Sequence, residues 1–151
     1  MIKLEKLRHI AIIVADTKKM TDFYTNILGL KLVNQVDIDA PFLAKGVGVP
    51  GAKAKMSHLA VENSDAMIEM FEFTDKLGPD KNISCSNAQG YRHMAFELTN
   101  IDEVYTDLKE EGVEFVSEVM CLEGGPNAGF KFVYFKDPEG NLIELTQLPK
   151  P

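Results

Sequence analysis

Cysteine is nearly absent from this chain. Only Cys85 and Cys121 occur in 151 residues, without CxxC spacing. Neither a disulfide framework nor a zinc site built on thiolates is indicated, and both residues read as ordinary thiols of a reducing compartment. No apolar run approaches the roughly 18 residues that span a bilayer. The first residues, Met1-Ile2-Lys3-Leu4-Glu5-Lys6, lack the uninterrupted apolar core of a signal peptide. A cytoplasmic protein is the expectation. Positive charge is also scarce, with 16 Lys and Arg against 23 Asp and Glu and a net charge of −7. Such a surface repels phosphate backbones and anionic lipid, so nucleic acid and membranes are excluded as expected partners. Low-complexity tracts are missing too. What remains is an ordinary globular balance, 45% hydrophobic and 26% charged, in a length that suits one domain or two fused half-domains.

An internal repeat organises the rest. The segment RHIAIIV, Arg8 to Val14, recurs as RHMAFEL, Arg92 to Leu98. Each copy leads into helical spacing of apolar residues. In the first these are Met20, Phe23, Tyr24, Ile27 and Leu28, within Asp16 to Leu28; in the second, Ile101, Val104, Tyr105 and Leu108, within Ile101 to Glu111. Gly29 and Gly112 close these helices, and the strand-like runs Leu30 to Val33 and Val113 to Val116 follow. Further on, Ala54 to Val61 and Phe130 to Phe135 read as strands that turn at Glu62 to Asp65 and at Asp137 to Asn141. Each half then ends on a strand bearing a carboxylate, Met67 to Phe71 with Glu69 and Leu142 to Thr146 with Glu144. The pattern predicts an α+β fold of two tandem βαβββ modules. Module 1 covers about 5–75, a linker about 76–88, and module 2 about 89–148. The linker region, Thr74 to Gln89, reads as a connecting loop. The Gly-rich stretch Glu118 to Gly129 reads as a flap over a site.

Two of the three histidines, His9 and His93, occupy the same position of the repeat, and so do Glu69 and Glu144. A strand histidine beside apolar residues is most often a core residue, and a strand glutamate most often faces water. Paired recurrence favours a different reading. If the modules pack about a pseudo-twofold axis, His9, Glu69, His93 and Glu144 converge. Two imidazoles and two carboxylates suit a divalent ion such as Zn, Ni, Co, Mn or Fe(II). A buried carboxylate needs such compensation, because left unpaired it costs several kcal/mol. The third histidine, His58, has no evident partner in the sequence and reads as a structural strand residue. Met120, Phe132 and Tyr134 are candidates for an apolar substrate pocket near the flap.

The motifs RHIAIIVAD with FYTNILGLKLV, then IEMFEF, GYRHMAFEL and VYFKDPEGNLIEL, resemble the vicinal oxygen chelate superfamily from Leu7 to Leu148. That superfamily includes glyoxalase I, methylmalonyl-CoA epimerase, extradiol dioxygenases, and fosfomycin and bleomycin resistance proteins. The resemblance implies one domain of paired modules whose cupped, mostly antiparallel sheets surround a metal. Its ligand positions fall on His9, Glu69, His93 and Glu144. It also implies a homodimer, with His9 and Glu69 of one chain meeting His93 and Glu144 of the other.

A set of two histidines and two glutamates resembles glyoxalase I most closely. There a metal polarises a carbonyl of a small substrate while a site carboxylate, here Glu144 or Glu69, moves a proton between adjacent carbons. In bacterial glyoxalase I the positions four after the first histidine and four after the first glutamate are an arginine and an asparagine that grip glutathione. Here they are Ile13 and Phe73, whose side chains form no hydrogen bonds. A lyase or isomerase that does not use glutathione is the expectation. A racemase like methylmalonyl-CoA epimerase stands next, since RHMAFE matches it, although the closing motif DPEGNLIE is the generic form. An Fe(II) extradiol dioxygenase built on His9, His93 and Glu144, with Tyr134 nearby, stands third. A binding protein that sequesters a drug without chemistry stands last, because such proteins lack the metal ligands.

Overall fold

The computed structural model describes residues 7–74, 90–91 and 93–149. Cys85 and nearly all of the expected connecting loop lie outside the described residues. Cys121 is an exposed free thiol. The chain divides into two compact units, Met1–Pro79 and Asp80–Pro151.

In the first unit the elements are β1 (His9–Ile13), α1 (Thr17–Asp22), β2 (Lys31–Ile38), α2 (Pro41–Val47), β3 (Ala54–Ala60) and β4 (Met67–Phe73). Their sheet order is β1-β4-β3-β2, with β1 parallel to β4 and the other pairs antiparallel. The second unit holds β5 (His93–Glu97), α3 (Ile101–Glu110), β6 (Met120–Cys121), β7 (Lys131–Lys136) and β8 (Leu142–Gln147). It repeats the order as β5-β8-β7-β6, again with only the β5–β8 pair parallel. Two tandem βαβββ-like modules are therefore present.

Alternation along the last strand of each module sorts its two faces. Ile68 and Met70 are buried while Glu69 and Phe71 keep some exposure; Ile143 and Leu145 are buried while Glu144 and Thr146 keep some exposure. The buried face lies under the helix. In the first unit α1 packs on β3 and β4, and Met20, Tyr24, Leu59 and Met70 are fully buried. In the second, α3 packs on β8, with Ile101, Val133, Phe135 and Ile143 fully buried. Each such side chain contributes about 1.5 to 3 kcal/mol from burial.

The helix starts and stops are local. Asp16 caps α1, its side chain accepting from the Lys19 amide at 2.9 Å. The helix then widens into a π-turn over Phe23–Ile27, where Leu28 N–H donates to the Phe23 carbonyl at 3.2 Å. Gly29, at φ +72°, turns the chain out. The Asp137 turn is held more tightly. Its carboxylate accepts from the Glu139 amide at 3.0 Å, the Asn141 amide at 2.8 Å and the Asn141 side chain at 2.7 Å. That cage sets the start of β8, and so the register of Glu144.

The structure departs from the sequence reading in three places. The edge strand β2 runs eight residues, to Ile38, rather than stopping at Val33. Helix α2 was not anticipated; it opens on Pro41 at its first turn and closes on Gly48 at φ +72°. It has no counterpart in the second module, so the repeat gave no hint of it. The run Val113 to Val116 forms no strand but a single bridge, Phe115 to Phe135, and the edge pairing resumes as β6 inside the expected flap. An edge segment has one neighbour only, and here pairing breaks where the Ser117 hydroxyl turns to the Glu118 carbonyl.

One device ties the helices to the sheets in both modules. Glu72 Oε2 accepts from the Thr17 amide at 2.8 Å, and Gln147 Oε1 accepts from the Ile101 amide at 2.9 Å. Both amides sit in the first turn of a helix, where no intrahelical acceptor exists. Hydrogen bonding from Thr17, aided by Lys55, holds the Glu72 carboxyl below its ordinary value despite partial burial. Because the folded state lowers this pKa, the stabilisation is complete at neutral pH and is lost as pH falls through the depressed value. Glu72→Leu should cost about 1 to 2 kcal/mol at pH 7, a deficit that narrows on acidification. Gln147→Leu should show a similar deficit without the pH dependence of the carboxyl. Urea unfolding of both variants from pH 7 to pH 3 measures this.

Candidate functional site

The parallel pairing in each module builds a half-site. In the first, Ala11 of β1 stands opposite Glu69 of β4, so His9, two residues earlier on the same face, lies beside that carboxylate. In the second, Ala95 stands opposite Glu144, which gives His93 the same place. The outcome is nearly identical twice. His9 Nε2 is 3.5 Å from Glu69 Oε2, with side chains 38% and 12% exposed. His93 Nε2 is 3.3 Å from Glu144 Oε2, with side chains 39% and 13% exposed. In both pairs a largely buried carboxylate faces an open imidazole across a gap longer than the 2.7 to 2.9 Å usual for a charge-assisted hydrogen bond. The repeat thus conserves a geometry as well as two residue types.

The structure brings His9 to Glu69 and His93 to Glu144. Among the described residues no group of three or more His, Cys, Asp and Glu side chains that could by itself hold an ion is gathered.

The reading of His58 as a residue without a partner is corrected. Its Nε2 lies 2.8 Å from Glu69 Oε1, with the His58 side chain 18% exposed. Strand β3 pairs with β4 across the turn, and a hairpin that sets Ala60 opposite Met67 also sets His58 opposite Glu69. Counting back from that turn would have found the contact in the sequence. The equivalent register position in the second module is Tyr134, opposite Glu144. Its ring meets His93 edge-on, with centroids 5.2 Å apart. Burial, and then the charge of Glu144 beside it, push the Tyr134 phenol up from its ordinary pKa.

Apolar side chains surround the polar pairs. In the second module Phe132 meets Tyr134 edge-on at 6.0 Å, and Met120 pairs with Phe132 in the β6–β7 register. The three residues singled out as pocket candidates therefore share one face with Glu144. In the first module Ile13 pairs with Phe71 in the β1–β4 register, and Phe71 stacks on Phe73 at 5.7 Å. A cavity of about 480 Å³ in the second unit lies elsewhere, lined by residues such as Asn100, Glu103, Lys131 and Gln147. None of its lining residues belongs to a half-site.

Known proteins are similar to this chain in sequence and in fold. Human mitochondrial methylmalonyl-CoA epimerase is 32% identical over 147 residues, which cover 95% of this chain and 74% of that protein. The crystal structure of a glyoxalase family protein from Bacillus cereus superposes with a TM-score of 0.84 at 23% identity, covering 98% of this chain and 97% of the other. The fosfomycin resistance protein FosX of Listeria monocytogenes, in complex with Mn(II) and 1S,2S-dihydroxypropylphosphonic acid, superposes with a TM-score of 0.61 at 24% identity, covering 96% and 93%. A family model matches residues 6–145, and on that match, the repeated fold and the paired half-sites, the chain belongs to the Glyoxalase/Bleomycin resistance protein/Dioxygenase superfamily.

Proposed function

We propose that this chain is a divalent-metal-dependent lyase or isomerase that moves a proton beside a chelated carbonyl of a small substrate. His9, Glu69, His93 and Glu144 would hold the ion, whether Zn, Ni, Co, Mn or Fe(II). The observation that carries this is the recurrence of one histidine–carboxylate gap in both modules. Two donors bound to one ion at about 2.0 to 2.2 Å stand about 3.0 to 3.5 Å apart. The gaps of 3.5 and 3.3 Å fall in that range, and imidazole with carboxylate is a donor set that borderline divalent ions accept. FosX carries Mn(II) in the same fold. In this reading the two modules act as one domain and the chain works as a cytosolic homodimer.

The bound ion would supply Lewis acidity at the substrate carbonyl. The chain's own residues supply the rest. A strand carboxylate, Glu144 or its equivalent Glu69, takes the proton from the carbon beside the carbonyl and returns it to the neighbouring carbon. Met120, Phe132 and Tyr134 line the Glu144 side with apolar surface and reduce access of water. Return of the proton to the same carbon from the opposite face would make the reaction an epimerisation. The identity with methylmalonyl-CoA epimerase favours that as the second reading.

Three outcomes are expected. The purified protein retains about one divalent ion per chain after dialysis, and His93→Ala loses far more affinity than the ~10–100-fold typical of residues outside the ligand shell; full retention by that variant would refute a shared ion. The methylglyoxal–glutathione adduct is turned over poorly, since Ile13 and Phe73 each leave a polar group of glutathione without a partner, at about 1 to 3 kcal/mol apiece; a kcat/KM of ordinary enzymatic size would overturn this. With metal saturating, Glu144→Gln stops deuterium uptake from solvent into substrate, while Glu69→Gln retains it. Uptake unchanged in both would show that neither carboxylate carries the proton.

A further inference from the structure

We propose that His58 is a positioning residue for Glu69, one that restricts this carboxylate to a single oxygen when it meets a divalent ion. The proposal rests on the metal reading above.

Glu69 shows its two oxygens in different company. Oε1 lies 2.8 Å from His58 Nε2, whereas Oε2 faces His9 Nε2 at 3.5 Å. An ionised carboxylate only accepts, so the nitrogen on Oε1 must be the donor, and Nε2 of His58 carries the hydrogen. A carboxylate chelates through both oxygens only if both are free to turn toward the ion. With Oε1 held, Oε2 alone is offered, on the side of His9.

The hold is rigid for structural reasons. Strand β3 is an interior strand, paired with β2 at Asn34↔His58 and with β4 at His58↔Glu69, so its backbone is fixed on both sides. The donor direction lies in the plane of the ring and does not swivel. In the second module the same register position is Tyr134, whose hydroxyl hydrogen rotates about the C–O bond. The repeat therefore keeps the histidine and the carboxylate but changes what supports the carboxylate. Glu69 is fixed by a ring nitrogen, whereas the residue opposite Glu144 is a tyrosine. A fixed, one-oxygen Glu69 also leaves open a coordination position that a two-oxygen mode would fill.

Outer partners of metal ligands typically set affinity within about 10–100-fold, and that is the range to look for. The test compares wild type, His58→Leu and His58→Gln. Mn(II) affinity is read from the spin resonance of the free ion, coordination from the visible absorption of bound Co(II), and folding from the melting of the metal-free proteins. His58→Leu should bind Mn(II) about 10–100-fold more weakly and change the Co(II) spectrum, as Glu69 turns both oxygens to the ion. His58→Gln, whose amide N–H replaces the donor, should recover most of both. If His58→Leu does not fold, His58→Asn, with an amide too short to reach Oε1, takes its place. Wild-type affinity and spectrum in the Leu or Asn variant would overturn the role of His58 alone. So would a folded Gln variant as weak as Leu. Failure of the wild-type protein to bind any of these ions would overturn the metal reading itself, and this proposal with it.

Discussion

Everything in the candidate site depends on one constraint, the parallel pairing of the first and last strands of each module. Those strands are far apart in sequence, and only their register decides which side chains meet. With Ala11 opposite Glu69 and Ala95 opposite Glu144, each histidine falls on the same face as its carboxylate. A slip of one residue would send the histidine to the helix-covered face and leave the glutamate alone. The register is in turn held by the burial of Ile68 and Met70, and of Ile143 and Leu145, against the helices. Packing on one side of the sheet therefore fixes chemistry on the other.

The last strand of each module is used on both faces. Glu69 and Glu144 project to the open face. Glu72 and Gln147, three residues further on and so on the opposite face, accept the first-turn amides of α1 and α3. The helix is thereby keyed to the strand that carries the site carboxylate. In the first module the key is charged, and hydrogen bonding from Thr17 holds its carboxyl below the usual range. In the second it is a neutral amide. The positive end of a helix favours the charged form, but geometry alone suffices, since the neutral version makes the same bond at nearly the same length.

What the sequence disclosed follows from what repeats. RHIAIIV and RHMAFEL announced the first strands, Gly29 and Gly112 the helix ends, and the paired His and Glu positions the half-sites, because each is a local pattern present twice. What it hid lacks a counterpart or lies across strands. Helix α2 occurs once and buries only Leu43, so it leaves a faint periodic signal. The broken edge between Val113 and Cys121 has strand-like residues, and its pairing depends on a single neighbour. The His58–Glu69 bond spans two strands and required the hairpin register, which the turn at Glu62 to Asp65 contained but composition did not reveal.

Repetition and divergence then mark different kinds of work. Positions identical in the two modules, His9 with His93 and Glu69 with Glu144, are those whose chemistry tolerates little change: a ring nitrogen and a carboxylate oxygen at a fixed separation. Positions that differ surround them. His58 answers to Tyr134, so a ring nitrogen stands opposite one carboxylate and a phenol opposite the other. The polar pairs also sit in unlike apolar company, Ile13, Phe71 and Phe73 in one module and Met120 and Phe132 in the other. A duplicated half kept unchanged would present the same surface twice, and these two halves do not. The repeated residues give the two modules one geometry, and the unrepeated ones give each module its own surroundings.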